Sequence, residues 1–227
     1  MTPRFTCLIP AYNEAARIGP VLDAVLALPL LARVIVIDDG SSDDTAFVAQ
    51  AKGAQVLRTP GNLGKTRALA LGLQSVQTSH VVLIDADLTG LSAQALTALI
   101  DPVLRGTADA TISLRGNAPR SWRLIGIDYI SGERVIALDL LAGQHDHLAG
   151  LPRFGFEVFL NRLLIARQAR IAIIPWPDVA SPSKAAKRGL IAGVWADIAM
   201  LADIFRTIGP IECLRQIMAL RRLRVVL

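Results

Sequence analysis

The chain has 227 residues, 52% hydrophobic and 19% charged, which excludes a disordered chain and allows a core that needs no covalent staples. Two cysteines, Cys7 and Cys213, exclude a disulfide framework. The formal charge of +5 is uneven: residues 1–183 hold 16 basic and 16 acidic side chains, and residues 184–227 hold 8 basic and 3 acidic ones.

A neutral body with a basic, apolar tail predicts a soluble domain that touches a surface. Neither aromatic stacking motifs nor zinc-finger spacings accompany the charge, so no nucleic-acid partner is expected. The longest uncharged run, residues 68–84, contains Gln74, Ser75, Gln77, Thr78, Ser79 and His80. It therefore falls short of the roughly 20 apolar residues of a membrane span. The first residues run into a strand without a leader pattern, and a cytoplasmic location is expected.

In chain order, residues 5–9 read as a short strand closed by Pro10. Residues 13–28 read as a helix capped by Asn13, with Ile18, Val21, Leu22, Val25 and Leu26 on one stripe. Residues 33–38 (RVIVID) form a buried strand, and Ser41 or Ser42 is expected to cap a helix running to 52. Strand 55–58, helix 64–77, strand 81–84, helix 92–105 and strand 109–114 follow. Such repeated β-α units predict a mostly parallel sheet with helices on both faces. Ligands bind such sheets at the carboxyl ends of the strands. Residues 10–14, 38–42 and 85–89, each directly after a strand, should meet there.

The second half is less regular. Residues 120–141 are expected to be mostly helical, 142–153 a Gly-rich loop, 154–167 a helix and 170–175 a strand. Pro175, Pro177 and Pro182 enforce an extended segment. Two helices, 185–208 and 211–224, finish the chain around Gly209-Pro210. The expected division is a catalytic domain over 1–183 and basic amphipathic helices over 184–227, without an intervening linker.

Asp85-Ala86-Asp87 ends an apolar strand. Two carboxylates there repel each other and contribute nothing to packing, whereas a divalent cation bridging to diphosphate oxygens accounts for both. Asp38-Asp39-Gly40-Ser41-Ser42 ends another strand, with more acids than a helix cap uses. Pro10-Ala11-Tyr12-Asn13-Glu14 offers a flat ring for a base and an acceptor carboxylate. Asn62-Leu63-Gly64-Lys65-Thr66-Arg67 opens a helix, placing Lys65 and Arg67 where a helix N-terminus favours an anion. Each segment also has a plainer reading: a solvated turn, a cap or surface cations.

Together LIPAYNEAARI, VIVIDDGSSDDT, GNLGKTRALALGL and VVLIDADLTGL resemble, in order and spacing, the nucleotide-binding half of family 2 glycosyltransferases with the GT-A fold. The resemblance covers about residues 4–115, and within the family the chain is most similar to the dolichol-phosphate mannose synthase-like group. It implies a nucleotide-sugar pocket lined by Pro10, Tyr12 and Glu14, with Asp39 on the base or ribose. Asp85 and Asp87 would hold Mg²⁺ or Mn²⁺ and the ribose–diphosphate, with Lys65 and Arg115 on phosphates or sugar. Thr89 stands where the lipid-phosphate enzymes often carry Gln.

In the acceptor half, Ser131-Gly132-Glu133-Arg134 is similar to the group's S-G-F-R segment, with Glu133 in place of an aromatic. Phe154-Gly155-Phe156-Glu157 resembles a family helix start, and Ser183-Lys184 a later S-K that folds over the diphosphate. His145 and His147 lie in the connecting loop, and His147 is a candidate third metal ligand, as in some GT-A enzymes. The Q-x-x-R-W signature of processive synthases is absent.

The resemblance implies an inverting transfer from a UDP- or GDP-linked sugar. A hydroxyl acceptor would need a carboxylate base, with Asp128, Glu133 and Glu157 as candidates. A phosphate acceptor would instead need cations, with Arg134, Arg153 and Lys184 as candidates. On a helical projection, Leu190, Val194, Ile198, Leu201, Ile204, Phe205 and Ile208 share a wide apolar arc. With Arg221, Arg222 and Arg224 it suits a peripheral position on the inner face of a membrane and a polyprenyl phosphate acceptor. The arc suits equally well packing on the body or on a second copy in a homodimer. Alternatives are the same chemistry on a small soluble hydroxyl acceptor, as in glucosyl-3-phosphoglycerate synthase-like enzymes, a nucleotidyltransferase, or a silent sugar-nucleotide-binding module.

Overall fold

The computed structural model describes residues 4–144, 148, 150–151, 155–182 and 208–226. The expected helix 185–208 and its apolar arc lie outside the described residues, as do His145, His147, Arg153, Phe154, Ser183 and Lys184.

The elements are β1 (Phe5–Ala11), α1 (Ile18–Leu26), β2 (Leu31–Asp38), α2 (Thr45–Ala51), β3 (Gln55–Arg58), α3 (Lys65–Gln74), β4 (His80–Leu83), α4 (Ala93–Leu104), β5 (Ala110–Arg115), α5 (Arg120–Ile125) and β6 (Arg134–Ala137). A 3-10 turn (Leu138–Leu141), α6 (Gly155–Ala166), β7 (Ile171–Trp176), α7 (Pro210–Arg222) and β8 (Arg224–Val225) follow. The strands form one sheet in the order β3-β2-β1-β4-β6-β5-β7-β8. Every pairing is parallel except those of β6 with β4 and β5.

Alternation along the buried strands feeds two cores. Leu8, Ile35 and Ile37 face one side with Leu69 and Leu73 of α3, Phe156 and Leu160 of α6, and Ile217 and Leu220 of α7. Cys7, Ile9, Val34 and Val36 face the other with Ile18, Val21 and Leu22 of α1 and Leu96, Leu99 and Ile100 of α4. Each such buried side chain contributes about 1.5–3 kcal/mol relative to exposure. This mostly parallel sheet between two helical layers is the expected fold class.

Four local expectations are corrected. Asn13 has φ +55°, a left-handed conformation that cannot open a helix, and α1 begins five residues later at Ile18. Ser41 and Ser42 do not cap α2, which starts at Thr45. Instead the Ser41 hydroxyl accepts from the Asn13 N–H at 2.9 Å, and the Ser42 N–H donates to Asn13 Oδ1 at 2.9 Å. Residues 120–141 are not one helix. Gly126, at φ +77°, ends α5, and Val135 and Ile136 are fully buried on opposite sheet faces, an environment that favours β-branched residues in a strand. At the far end, Arg224 stands in β8 rather than in the preceding helix.

Candidate active site

The pairing register carries the loops after β1, β2 and β4 to one edge. Ala11 lies opposite Asp38, and Leu8 opposite both Ile35 and Leu83. Hydrogen bonds between loops fix them: the Asp39 N–H donates to the Ala11 carbonyl at 2.8 Å, Glu14 N–H to Thr45 Oγ1 at 2.8 Å, and Ala15 N–H to Asp43 Oδ2 at 3.1 Å. Pro10–Glu14, Asp38–Ser42 and Asp85–Thr89 are therefore neighbours in space. On this rim the Tyr12 ring is 44% exposed. Glu14 accepts from Arg17 Nε at 2.5 Å, and Asp87 and Asp43 add to the field that holds Arg17 charged.

Asp39 is buried. Its carboxylate accepts from the Leu63 N–H at 2.9 Å, the Gly64 N–H at 2.7 Å and the Thr59 hydroxyl at 3.1 Å. It thereby holds the loop that delivers Lys65 to the start of α3. Gly40 sits at φ +70°, and a Cβ there would lie 2.5 Å from the Gly61 backbone, so this crossing requires glycine.

At the end of β4, Lys65 Nζ is 2.7 Å from Asp85 Oδ1 and 3.1 Å from Glu157 Oε1 in the first turn of α6. Burial opposes the charge on Lys65, but Asp85 and Glu157 outweigh it and raise its pKa. Burial likewise opposes ionisation of Asp85, and Lys65, followed by Arg115, reverses this and lowers its pKa. Gly132 lets the loop before β6 approach this pair: a Cβ there would be 2.7 Å from Lys65 Nζ and 2.8 Å from Asp85 Oδ1. Pro10, Lys65, Asp85, Gly132, Arg134 and Glu157 border a narrow cleft.

Arg115, at the end of β5, completes the arrangement. Its guanidinium reaches Asp128 Oδ2 at 3.1 Å and Glu133 Oε1 at 3.4 Å, and donates to the Ser181 hydroxyl. Glu133 is fully buried, and its carboxyl accepts from the hydroxyls of Ser113 at 2.7 Å and Ser131 at 2.8 Å. Burial raises its pKa, partly offset by Arg115, while Asp85 raises it further. Of the three candidate bases, Asp128 and Glu133 are sealed against Arg115, whereas Glu157 borders the cleft. Ser113, Ser131 and Ser181 were not singled out by sequence as functional partners. Ser113 and Ser131 meet where β6 pairs with β5, and Ser181 arrives from the segment after β7, which pairs with β5 on its other side.

Arg134 departs from its expected place before an acceptor phosphate. It is fully buried, donating from Nε to the Ser131 carbonyl (2.7 Å), from one terminal nitrogen to Asn161 Oδ1 (2.6 Å) and from the other to the Tyr129 carbonyl (3.0 Å). It starts a central strand, so its guanidinium is spent on fastening the 129–131 turn. Asn161, buried beside it, was also unanticipated.

Asp85 and Asp87 present hard oxygen donors two residues apart, a donor set that fits Mg²⁺ or Mn²⁺. Lys65 faces Asp85, and Asp87 contributes to the field on Arg17. Among the described residues no group of three or more His, Cys, Asp and Glu side chains could hold a metal.

The chain is similar to glucosyl-3-phosphoglycerate synthase of Mycobacterium tuberculosis in complex with phosphoglyceric acid: 26% identity, TM-score 0.67, covering 86% of this chain and 79% of that one. Structures of that enzyme with Mn²⁺, UDP-glucose and phosphoglyceric acid, and with Mg²⁺ and UDP, match at TM-scores of 0.66 and 0.65, each at 26% identity over 86% of this chain and 79% of that one. A 4,4'-diaponeurosporenoate glycosyltransferase of Staphylococcus aureus (strain MRSA252) is 38% identical over 101 residues, 42% of this chain. The match covers 27% of that relative, so the chain spans about a quarter of its length. The family model "Glycosyl transferase family 2" matches residues 6–157, and the chain belongs to glycosyltransferase family 2.

Proposed function

We propose that this glycosyltransferase is divalent-cation-dependent and inverting, and moves a hexosyl group from a UDP- or GDP-linked sugar to a polyprenyl phosphate, as in the dolichol-phosphate mannose synthase-like group. The observation that carries the reading is the Lys65–Asp85–Glu157 cluster beside Asp87 at the carboxyl end of β4. It combines cation-holding acids with a fixed ammonium at one strand end. Metal and nucleotide use are supported by the Mn²⁺, Mg²⁺ and UDP complexes of the similar synthase. A lipid-like acceptor is supported by the name of the S. aureus relative. The corresponding place of work is a cytoplasmic membrane face.

In this mechanism Tyr12 stacks on the base, and the β1 and β2 loops seat the nucleoside. Asp87, with Asp85, would hold the cation, which when bound would supply Lewis-acid neutralisation of the diphosphate. Lys65 and Arg115 add fixed positive charge where the leaving diphosphate gains negative charge. The acceptor oxygen forms its bond to the anomeric carbon on the face opposite the nucleoside diphosphate, which leaves with the electron pair of the broken C–O bond. A phosphate monoester, with its second pKa near about 6, is already ionised and needs no base.

One second reading has its own support. The similarity to glucosyl-3-phosphoglycerate synthase over 86% of the chain favours a small soluble hydroxyl acceptor, for which Glu157, at the cleft, is the base. Nucleoside-diphosphate release measured over a panel of sugar nucleotides with Mn²⁺ or Mg²⁺ separates the two. Stimulation by polyprenyl phosphate supports the first reading, and stimulation by 3-phosphoglycerate alone supports the second. No release with any donor would overturn both.

A further inference from the structure

The terminal helix α7 has two apolar faces. Cys213, Ile217 and Leu220 pack into the core, and Gln216 accepts a hydrogen bond from the Tyr129 hydroxyl at 2.7 Å. Tyr129 in turn holds Arg134 and Asn161 through its carbonyl. The opposite face stays exposed among the described residues: Ile211 is 69%, Leu214 57% and Met218 47% accessible. Their i, i+3, i+7 spacing makes a stripe along the helix. At 100° per residue, Arg221 flanks that stripe on one side, and Arg215 and Arg222 flank it on the other; all three are exposed. Arg224 continues the basic edge beyond the helix, and its Nη1 lies 2.9 Å from where a Cβ on Gly126 would stand. That contact sets the end of α5, with Leu124 at 89% exposure, beside the same edge. Glu212 is the acid of the helix, and its carboxylate accepts from Gln216 at 3.0 Å.

An apolar stripe between arginines is the pattern of a helix lying in the headgroup region of an anionic bilayer. A second copy packed on the same face would set these like-charged guanidinium groups against one another. We infer that the outer face of α7, formed by Ile211, Leu214, Met218, Arg215, Arg221 and Arg222, is the docking surface for an anionic lipid bilayer. The inference deepens the lipid-acceptor reading by naming the membrane contact. Through Gln216 and Tyr129 the docked helix is tied to the turn that borders the donor cleft.

The test is co-sedimentation of the full chain with phosphatidylglycerol-containing and pure phosphatidylcholine vesicles. It compares wild type, Leu214→Asp/Met218→Asp and Arg215→Gln/Arg221→Gln/Arg222→Gln. Wild type should bind the anionic vesicles and not the neutral ones. An arginine near an anionic surface is worth roughly five-fold in binding, so the triple variant should lose on the order of a hundred-fold. The aspartate variant should lose binding to a similar degree. Every substitution is at an exposed position away from the cleft, and the two variants test the surface independently should either fold poorly. Wild type that ignores anionic vesicles, or variants that bind as wild type does, would overturn the assignment. So would a concentration-dependent dimer abolished by the aspartates without any vesicle binding. Vesicle binding without nucleoside-diphosphate release from any donor would leave the docking surface standing and remove the proposed function.

Discussion

Lys65 Nζ lies 2.7 Å from Asp85 Oδ1, joining the first residue of α3 to the end of β4. With Glu157 3.1 Å away, one ammonium serves two carboxylates at the mouth of the cleft. Lys65→Met should leave those carboxylates facing each other and remove a fixed charge from the diphosphate site. The expected result is a fall in kcat of about a hundred-fold or more, with a modest change in Tm because the Lys65 side chain is 40% exposed. Steady-state kinetics beside a thermal melt checks this, and an unchanged kcat would take Lys65 out of the chemistry.

Gly132→Ala probes the same pair from the other side. The new methyl would stand 2.7 Å from Lys65 Nζ and 2.8 Å from Asp85 Oδ1, and these flexible ends can move where backbone could not. Activity should therefore drop by about ten-fold or more while the denaturation midpoint shifts little. A variant as active as wild type would show that the ion pair can be displaced without consequence.

Arg134 separates a structural role from a phosphate-binding one. Its three hydrogen bonds to Ser131, Asn161 and Tyr129 are all buried, so Arg134→Ala removes a partner from the Ser131 carbonyl and Asn161 Oδ1 and leaves the Tyr129 carbonyl with Asn161 alone. It should cost about 3–5 kcal/mol in urea denaturation. Arg134→Lys should recover part of that stability. A stable Arg134→Ala protein with a raised acceptor KM would restore the residue to the acceptor site.

How much of this was legible in the sequence follows from where each signal resides. β1, β2 and β4 are apolar runs ending in Pro10, Asp38-Asp39 and Asp85, so the strands and the acids at their ends announce each other. β6 was hidden because its four residues, Arg134–Ala137, sit in an apolar stretch that reads equally well as helix. They also begin with a charged residue whose burial depends on Asn161, 27 positions away. The role that Asp39 plays in holding the Leu63 and Gly64 amides is a long-range backbone contact that leaves no trace in local composition. The exposed stripe of α7 could not be told from its buried one, since Leu214 and Ile217 are equally apolar and only packing distinguishes them.

His80 supplies a pH signature remote from the acids. Its ring lies 5.4 Å from that of Phe5, and burial lowers its pKa while Asp139 pulls the other way. The unfolded chain, with a histidine pKa near about 6.5, then binds the proton more readily than the native state does. The contribution of His80 to stability is complete above that value and declines as pH falls from it toward the lower folded-state pKa. His80→Gln should flatten this part of the stability–pH curve. NMR titration should place the His80 imidazole below 6.5, and a value above it would reverse the sign.

The central claim is that Asp87 and its neighbours trap a divalent ion together with a nucleoside diphosphate. Calorimetric titration of UDP and GDP into wild type and Asp87→Ala, with and without Mn²⁺, tests it most directly. The account predicts nucleotide binding that strengthens with Mn²⁺ in wild type and weakens at least about ten-fold in the variant. Equal affinities in the two proteins, or wild-type binding indifferent to Mn²⁺, would contradict it.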